Sequence, residues 1–282
     1  MGMKGEIEKA AEMGFCFGVR RAIDMLEKAA HKHSMVETLG AAVHNEQVVE
    51  RLSRYGVKVV ENLDELQGTT VAIASHGVGP AVLDEISARR LQLIDTTCPF
   101  VRRAQNAARR LANAGFFVII FGDAGHQEVE GVLGWAGGNG IATLDGELDV
   151  EKLPPHIGIL SQTTQSPAGF ANFIKVLTDS VIHKASELRI INTICDATRR
   201  RQASALELAR RVELMVVVGG YNSANTQRLA ELCSGYVETH LIETAEEIDP
   251  AWLQDRRRIG VTAGTSTPDE VINEVLAKLG GS

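Results

Sequence analysis

The chain has few cysteines, no long apolar run and no excess of positive charge, and each shortage excludes a class of protein. Four cysteines in 282 residues are too few for a disulfide-stapled scaffold, and a chain of this length buries enough surface to fold without staples. No Cys-x2-Cys pair occurs, so the short-loop zinc sites built on such pairs are missing. No apolar stretch approaches the roughly 18 residues that span a bilayer, and membrane association is not expected. Lys and Arg number 29 against 36 Asp and Glu, a formal charge of −7. A duplex reader carries a basic face, so nucleic acid is not an expected partner. Neither a P-loop nor a Gly-x-Gly-x-x-Gly turn is present, which leaves no resident nucleotide site in view. Residues Met1 to Met13 are charged and lack the apolar segment of a secretory signal. A cytoplasmic enzyme is the expectation.

What is present is a threefold internal repeat. Gly-Phe-Cys16-Phe-Gly-Val-Arg20-Arg21, Thr-Thr-Cys98-Pro-Phe-Val-Arg102-Arg103 and Thr-Ile-Cys195-Asp-Ala-Thr-Arg199-Arg200 read alike. In each, an arginine pair follows the cysteine and a helical stretch follows the pair, over 22–30, 104–114 and 202–211. At one fixed distance after each cysteine stands a polar residue in a loop: His44, His126 and Ser223. Apolar runs at 36–39, 117–121 and 214–218 precede these loops and read as buried strands. Further runs at 71–74, 157–160 and 259–262 lead to second polar loops, Ser75-His76-Gly77, Ser161-Gln162-Thr163-Thr164 and Ala263-Gly264-Thr265-Ser266.

The chain is therefore expected to form three pseudo-symmetric α/β units with parallel sheets, over 14–97, 98–192 and 193–282, with residues 1–13 packing on the third. Ligands of open parallel sheets bind beyond the carboxyl ends of the strands. The loops carrying His44, His76, His126, Thr163, Ser223 and Ser266 are thus candidates to line one cavity.

Each repeat cysteine precedes a helix, where unpaired N–H groups and the positive dipole end favour a thiolate. One cysteine per unit at wide spacing suits a cubane iron–sulfur cluster better than zinc. Three thiolates on four irons leave one iron open to substrate. Cys233 sits on an apolar stripe with Leu229 and Leu232, has no counterpart in the other repeats, and reads as core. The arginine pairs are open to two readings, as structural ion-pair formers or as neighbours of the cluster.

With these cysteines, and with Val43-His44-Asn45, Ser75-His76-Gly77-Val78, Gly125-His126-Gln127-Glu128-Val129-Glu130-Gly131, Gln162-Thr163-Thr164 and Asn222-Ser223-Ala224-Asn225, the chain resembles the 4-hydroxy-3-methylbut-2-enyl diphosphate reductases, the IspH or LytB family, over almost its whole length. The resemblance implies a trefoil of three α/β units around a [4Fe–4S] cluster held by Cys16, Cys98 and Cys195. It also implies the last step of the non-mevalonate isoprenoid pathway, reductive loss of an allylic hydroxyl to give isopentenyl and dimethylallyl diphosphates. Glu128 would be the proton-relay acid, with His126 and Thr163 at the hydroxyl end of the substrate. His44, His76, Ser223, Asn225 and Ser266 would bind the diphosphate. Ala224 replaces a serine common at that position and would offer backbone contact alone. Thr198 would lie near the cluster. Lacking a nicotinamide or flavin site, the enzyme would take electrons from a ferredoxin or flavodoxin.

Two rivals differ in class. A cluster-dependent lyase of the quinolinate synthase type would need carboxylate-binding arginines, where these loops offer His, Ser, Asn and Thr. A non-catalytic redox or iron sensor would need an effector module, and no basic recognition helix is present.

Overall fold

The computed structural model describes residues 5–146 and 148–281. Residues 1–4, part of the N-terminal stretch expected to pack on the third unit, lie outside the described residues. The chain opens with β1 (Glu6–Lys9), α1 (Phe17–Ala30), β2 (Val36–Leu39), α2 (Glu46–Arg54), β3 (Val57–Val60), β4 (Thr70–Ile73), α3 (Pro80–Ala88) and β5 (Gln92–Asp95). It continues through α4 (Pro99–Asn113), β6 (Phe117–Phe121), α5 (Gln127–Trp135), β7 (Gly140–Thr143), β8 (His156–Ser161), α6 (Pro167–Val181) and β9 (Glu187–Ile190). The last elements are α7 (Asp196–Ala209), β10 (Leu214–Val218), α8 (Ala224–Ser234), β11 (Thr239–Ile242), β12 (Arg258–Ala263) and α9 (Asp269–Gly281).

Among the described residues these strands make three four-stranded sheets, ordered β3-β2-β4-β5, β7-β6-β8-β9 and β11-β10-β12-β1. Every pairing is parallel. The three orders are equivalent, and each cysteine follows the fourth strand of a sheet: Cys98 follows β5, Cys195 follows β9, and Cys16 follows β1. The N-terminal strand β1 completes the C-terminal sheet, with Ile7 opposite Ile259 and Lys9 opposite Val261.

The chain divides into two compact units. One comprises Met1–Arg20, Val43–Arg51 and Asp196–Ser282 and holds the sheet of β1, β10, β11 and β12. The other comprises Arg21–Ala42 and Leu52–Cys195 and holds the other two sheets. Central strands are buried on both faces, as parallel sheets require. In the second unit, Val118, Ile120 and Leu160 pack with Ala104, Ala108 and Leu111 of α4 on one face. Ile119, Ile157 and Ile159 pack with Phe170, Phe173 and Leu177 of α6 on the other. In the first unit, Val216, Val218 and Val261 face α9, while Met215 and Val217 face α7 and α8.

The six expected central strands are all present, each within a residue of its predicted bounds. The outer strands β1, β3, β5, β7, β9 and β11 go beyond the predicted helix–strand–helix–strand unit. The helices after the cysteines begin earlier than expected, at Phe17, Pro99 and Asp196, so the arginine pairs lie on helix rather than ahead of it. No described helix is long and apolar enough to cross a membrane.

Candidate functional site

The backbone treats the three repeat cysteines alike. Cys98 N donates to Ser75 O at 2.9 Å, Cys195 N to Thr163 O at 3.1 Å, and Cys16 N to Thr265 O at 3.1 Å. Each cysteine is thereby hung from the loop that leaves the third strand across its sheet, β4, β8 or β12. The first helical turn then closes on it, with Arg20 N donating to Cys16 O at 3.0 Å and Arg102 N to Cys98 O at 2.9 Å. Two of the approaches are further fixed by a threonine two residues ahead of the cysteine. The Thr96 hydroxyl donates to Ile73 O, and the Thr193 hydroxyl donates to Ser161 O while accepting from Ser161 N. Cys16, Cys98 and Cys195 are half-buried and in no disulfide. Cys233 is fully buried among Leu229, Leu208 and Val217, and burial pushes its thiol up to about 12.

This pattern also aligns the loops. Thr163 occupies the place of Ser75 and Thr265, so His76 and Ser266 stand one residue further along, level with Thr164. The helix caps shift in the same way. His126 caps α5 and Ser223 caps α8, but the cap of α2 is Asn45, whose side chain accepts from Val48 N at 3.0 Å. His44 therefore precedes its helix by one residue more than His126 does.

In the larger unit Glu128, 3% exposed, sits in the first turn of α5. Its carboxylate accepts twice from one residue: Thr163 N donates to Oε1 and Thr163 Oγ1 to Oε2, both at 2.7 Å. Burial pushes the Glu128 carboxyl above the ordinary carboxylate range, against the opposing pull of the two Thr163 hydrogen bonds. His126 Nδ1 accepts from Glu128 N at 3.0 Å, so that nitrogen carries no proton and Nε2 carries the hydrogen of the neutral ring. Thr163 thus holds Glu128 through its amide and hydroxyl and holds the Cys195 amide through its carbonyl. His126, Glu128, Thr163 and Cys195 form one connected group.

In the same unit the chain reverses at Gly77 (φ +70°), where a Cβ would lie 2.5 Å from Gln105 Nε2 and 2.9 Å from Thr97 Cγ2. That turn presents His76, whose Nδ1 is 3.1 Å from Gly77 O. A cavity of about 320 Å³ opens beside it, bordered by Leu39, Glu61, Val78, Val82 and Glu130. Glu130 is exposed.

The other unit carries His44, Thr198, Ser223, Ala224, Asn225 and Ser266. Ser266 Oγ donates to His44 O at 3.2 Å. A Cβ on Gly220 would lie 2.6 Å from the same carbonyl, so only glycine lets this loop approach His44. Partial burial lowers the His44 pKa, which disfavours the imidazolium. Ser223 and Asn225 are buried at the start of α8, with Ser223 Oγ accepting from Thr226 N at 3.4 Å, and Thr198 is fully buried on α7.

Sequence reasoning missed the anchoring role of Thr96 and Thr193, although both stand at one place in the repeat. It also missed buried Arg201, which donates to Gly14 O at 2.6 Å. Among the described residues, no group of three His, Cys, Asp or Glu side chains is placed to hold a metal ion.

The family model described as LytB protein matches residues 7–280. A 4-hydroxy-3-methylbut-2-enyl diphosphate reductase of Dehalococcoides mccartyi (strain CBDB1) is 56% identical over 276 residues, 97% of each chain. The enzyme of that name from Geobacter metallireducens is 46% identical over 277 residues, 97% of this chain and 96% of its own. A solved (E)-4-hydroxy-3-methyl-but-2-enyl diphosphate reductase, the terminal enzyme of the non-mevalonate pathway, superposes with TM-score 0.70 at 36% identity, covering 98% and 99% of the two chains. The Plasmodium falciparum E-1-hydroxy-2-methyl-but-2-enyl-4-diphosphate reductase superposes with TM-score 0.89 at 25% identity, covering 97% of this chain and 87% of its own. The chain belongs to the LytB family of 4-hydroxy-3-methylbut-2-enyl diphosphate reductases.

Proposed function

We propose that this chain removes the allylic hydroxyl of 4-hydroxy-3-methylbut-2-enyl diphosphate as water. The reaction takes up two electrons and two protons and releases isopentenyl and dimethylallyl diphosphates. The observation that carries the reading is the connected group of Glu128, Thr163 and Cys195, in which one threonine holds a buried acid and the main-chain amide of a cysteine.

The family implies an iron–sulfur cluster, and the donor set fits one. Three thiols stand at equivalent places in three repeats, each amide tied to a strand-end carbonyl and each ahead of a helix. Ligands of a single ion crowd within about 2.3 Å of it, whereas thiolates of a cubane each take a separate iron. In this reading Cys16, Cys98 and Cys195 hold a [4Fe–4S] cluster. When bound, it supplies one iron free of protein ligands, a Lewis acid for the hydroxyl and a route for single electrons.

The remaining work falls to the chain. Hydroxide is a poor leaving group, so the C–O bond breaks readily only if the oxygen receives a proton as it leaves. Glu128 supplies that proton, its raised pKa keeping it protonated further toward neutral pH than an exposed carboxyl. The Thr163 hydroxyl orients the acid and, with the Nε2–H of His126, holds the hydroxyl end of the substrate. The second proton ends on carbon, and its site decides which product forms. His44, His76, Ser223, Asn225 and Ser266, with backbone N–H at Ala224, bind the diphosphate. The start of α8 adds helix N-terminal donors to that set. Buried Thr198 supports the turn after Cys195.

This division of labour goes with three units over 14–97, 98–192 and 193–282, each bringing one cysteine and two loops. Electrons come from a ferredoxin or flavodoxin in the cytoplasm, where thiols stay reduced. An anaerobic titration of reductant against the allylic diphosphate tests the function: two electrons consumed per product supports it, and product formed without net electron uptake refutes it.

A further inference from the structure

The arginines after the cysteines make contacts that follow the repeat. On α1, Arg21 Nη1 donates to the carbonyls of Thr96 and Thr97, each at 3.2 Å. These are the two residues immediately before Cys98. On α4, Arg103 Nη2 donates to Asn192 O at 2.6 Å, three residues before Cys195. On α7, Arg201 Nη2 donates to Gly14 O at 2.6 Å, two residues before Cys16. Arg200 adds an ion pair with Glu12, at 3.6 Å. Each helix that starts at one cysteine therefore grips the main chain leading into the next, and the third grips the first.

The preceding arginines behave differently. Arg20, Arg102 and Arg199 pair with Asp269, Asp95 and Asp196; Arg20 Nε also donates to Phe15 O at 3.3 Å and Asp95 Oδ1 accepts from Thr97 N at 3.0 Å, whereas Arg199–Asp196 is a surface pair of the kind that contributes little. In the first two repeats the pair divides into an arginine that meets a carboxylate and one, Arg21 or Arg103, that donates to main-chain carbonyls. In the third repeat the clamp falls one residue later, at Arg201.

We propose that Arg21, Arg103 and Arg201 are positioning residues for Cys98, Cys195 and Cys16, in that order. Main-chain carbonyls are the acceptors, so each guanidinium fixes backbone whatever the side chains there. The approach to each cysteine is held from two sides, by the strand-end carbonyl that receives the cysteine amide and by the arginine of the preceding repeat. The purpose assigned to this closed cycle, setting three sulfurs for one cluster, rests on the reading above; the contacts do not.

The test is site-resolved alkylation of the full chain, with each cysteine peptide followed by mass spectrometry. Losing one such hydrogen bond should speed local opening about three- to ten-fold. Arg21→Met should accelerate labelling of Cys98, Arg103→Met of Cys195, and Arg201→Met of Cys16, each leaving the other two at the wild-type rate. Arg103→Lys, which keeps a donor, should return most of the protection, and Arg199→Met, which removes a surface ion pair, should change nothing. Arg103 is exposed, so its variants test the idea even if Arg201→Met fails to fold. Equal acceleration of all three cysteines, or of none, overturns the proposal. After anaerobic reconstitution, Arg103→Met should also lose iron to a chelator about three- to ten-fold faster than wild type. Wild type that takes up no cluster would sink the functional reading while leaving the labelling pattern to decide this one.

Discussion

Thr163 holds both carboxylate oxygens of Glu128, one through its amide and one through its hydroxyl, at 2.7 Å each. A buried carboxyl gripped this way is held in one orientation. Glu128→Gln keeps the size and can keep both hydrogen bonds, but it has no proton to give. We expect kcat to fall about a hundred- to ten-thousand-fold with KM little changed, measured by single-turnover product formation under anaerobic conditions. Unaltered kcat would remove Glu128 from the chemistry.

The same residue sets a pH dependence. Its folded pKa is raised, chiefly by burial, so the acid form is lost, and the rate declines, as pH rises through that raised value. The contribution to folding has the same sign. It is complete below the ordinary value of 4.5 and disappears as pH rises through the folded pKa. Glu128→Gln should therefore narrow the drop in Tm between acidic and alkaline buffer. An identical drop in both proteins would contradict the assignment.

Thr163→Val removes a hydroxyl donor to the carboxylate and leaves the amide bond. That hydroxyl opposes the rise in the Glu128 pKa, so its loss moves the alkaline limb of the pH–rate profile upward. A hydrogen bond to a charged group is worth about 1.5–3 kcal/mol, so kcat should fall roughly ten- to a hundred-fold. Thr163→Ser should recover most of the loss and the original limb.

The central strands and the cysteine helices were legible because β-branched apolar runs and a repeated Cys-Arg-Arg pattern leave strong marks. The outer strands were not. Gln92–Asp95, Gly140–Thr143, Glu187–Ile190 and Thr239–Ile242 are half-exposed or exposed over most of their length, and without two buried faces they show no apolar run. Glu128 and Thr163 were legible by resemblance, but their direct bond was not, since nothing in spacing tells that α5 and the loop after β8 meet. The arginine clamps were invisible for a related reason: their acceptors are carbonyls, which every residue has. The fixed distance from cysteine to loop led to loops at the ends of equivalent strands and concealed a one-residue shift, in which Asn45 takes the cap and leaves His44 outside the helix.

In the proposed site His44 would couple ligand binding to protons. Burial lowers its pKa from the ordinary 6.5, whereas a bound diphosphate favours the imidazolium. Binding should draw in a proton and weaken as pH rises, read by calorimetry in two buffers with different ionisation heats. His44→Asn should remove the buffer dependence. Without ligand the shift works against the fold at low pH: its stabilising effect is complete above 6.5 and is lost as pH falls through the folded value.

Cys233 separates core from ligand. Cys233→Ala deletes one buried sulfur and should cost about 1 kcal/mol, seen in the denaturant midpoint, with iron content unchanged. Cys98→Ala should do the reverse, lowering iron content while leaving the midpoint of the metal-free chain nearly where it was.

The central claim is that three sulfurs from three repeats leave one iron open to substrate. Anaerobic Mössbauer spectroscopy of the reconstituted chain, with and without the allylic diphosphate, tests it most directly. Four irons per chain are expected, one of which changes its parameters when substrate binds. A spectrum that does not respond to substrate, or a chain that assembles no cluster with all three cysteines intact, would contradict it.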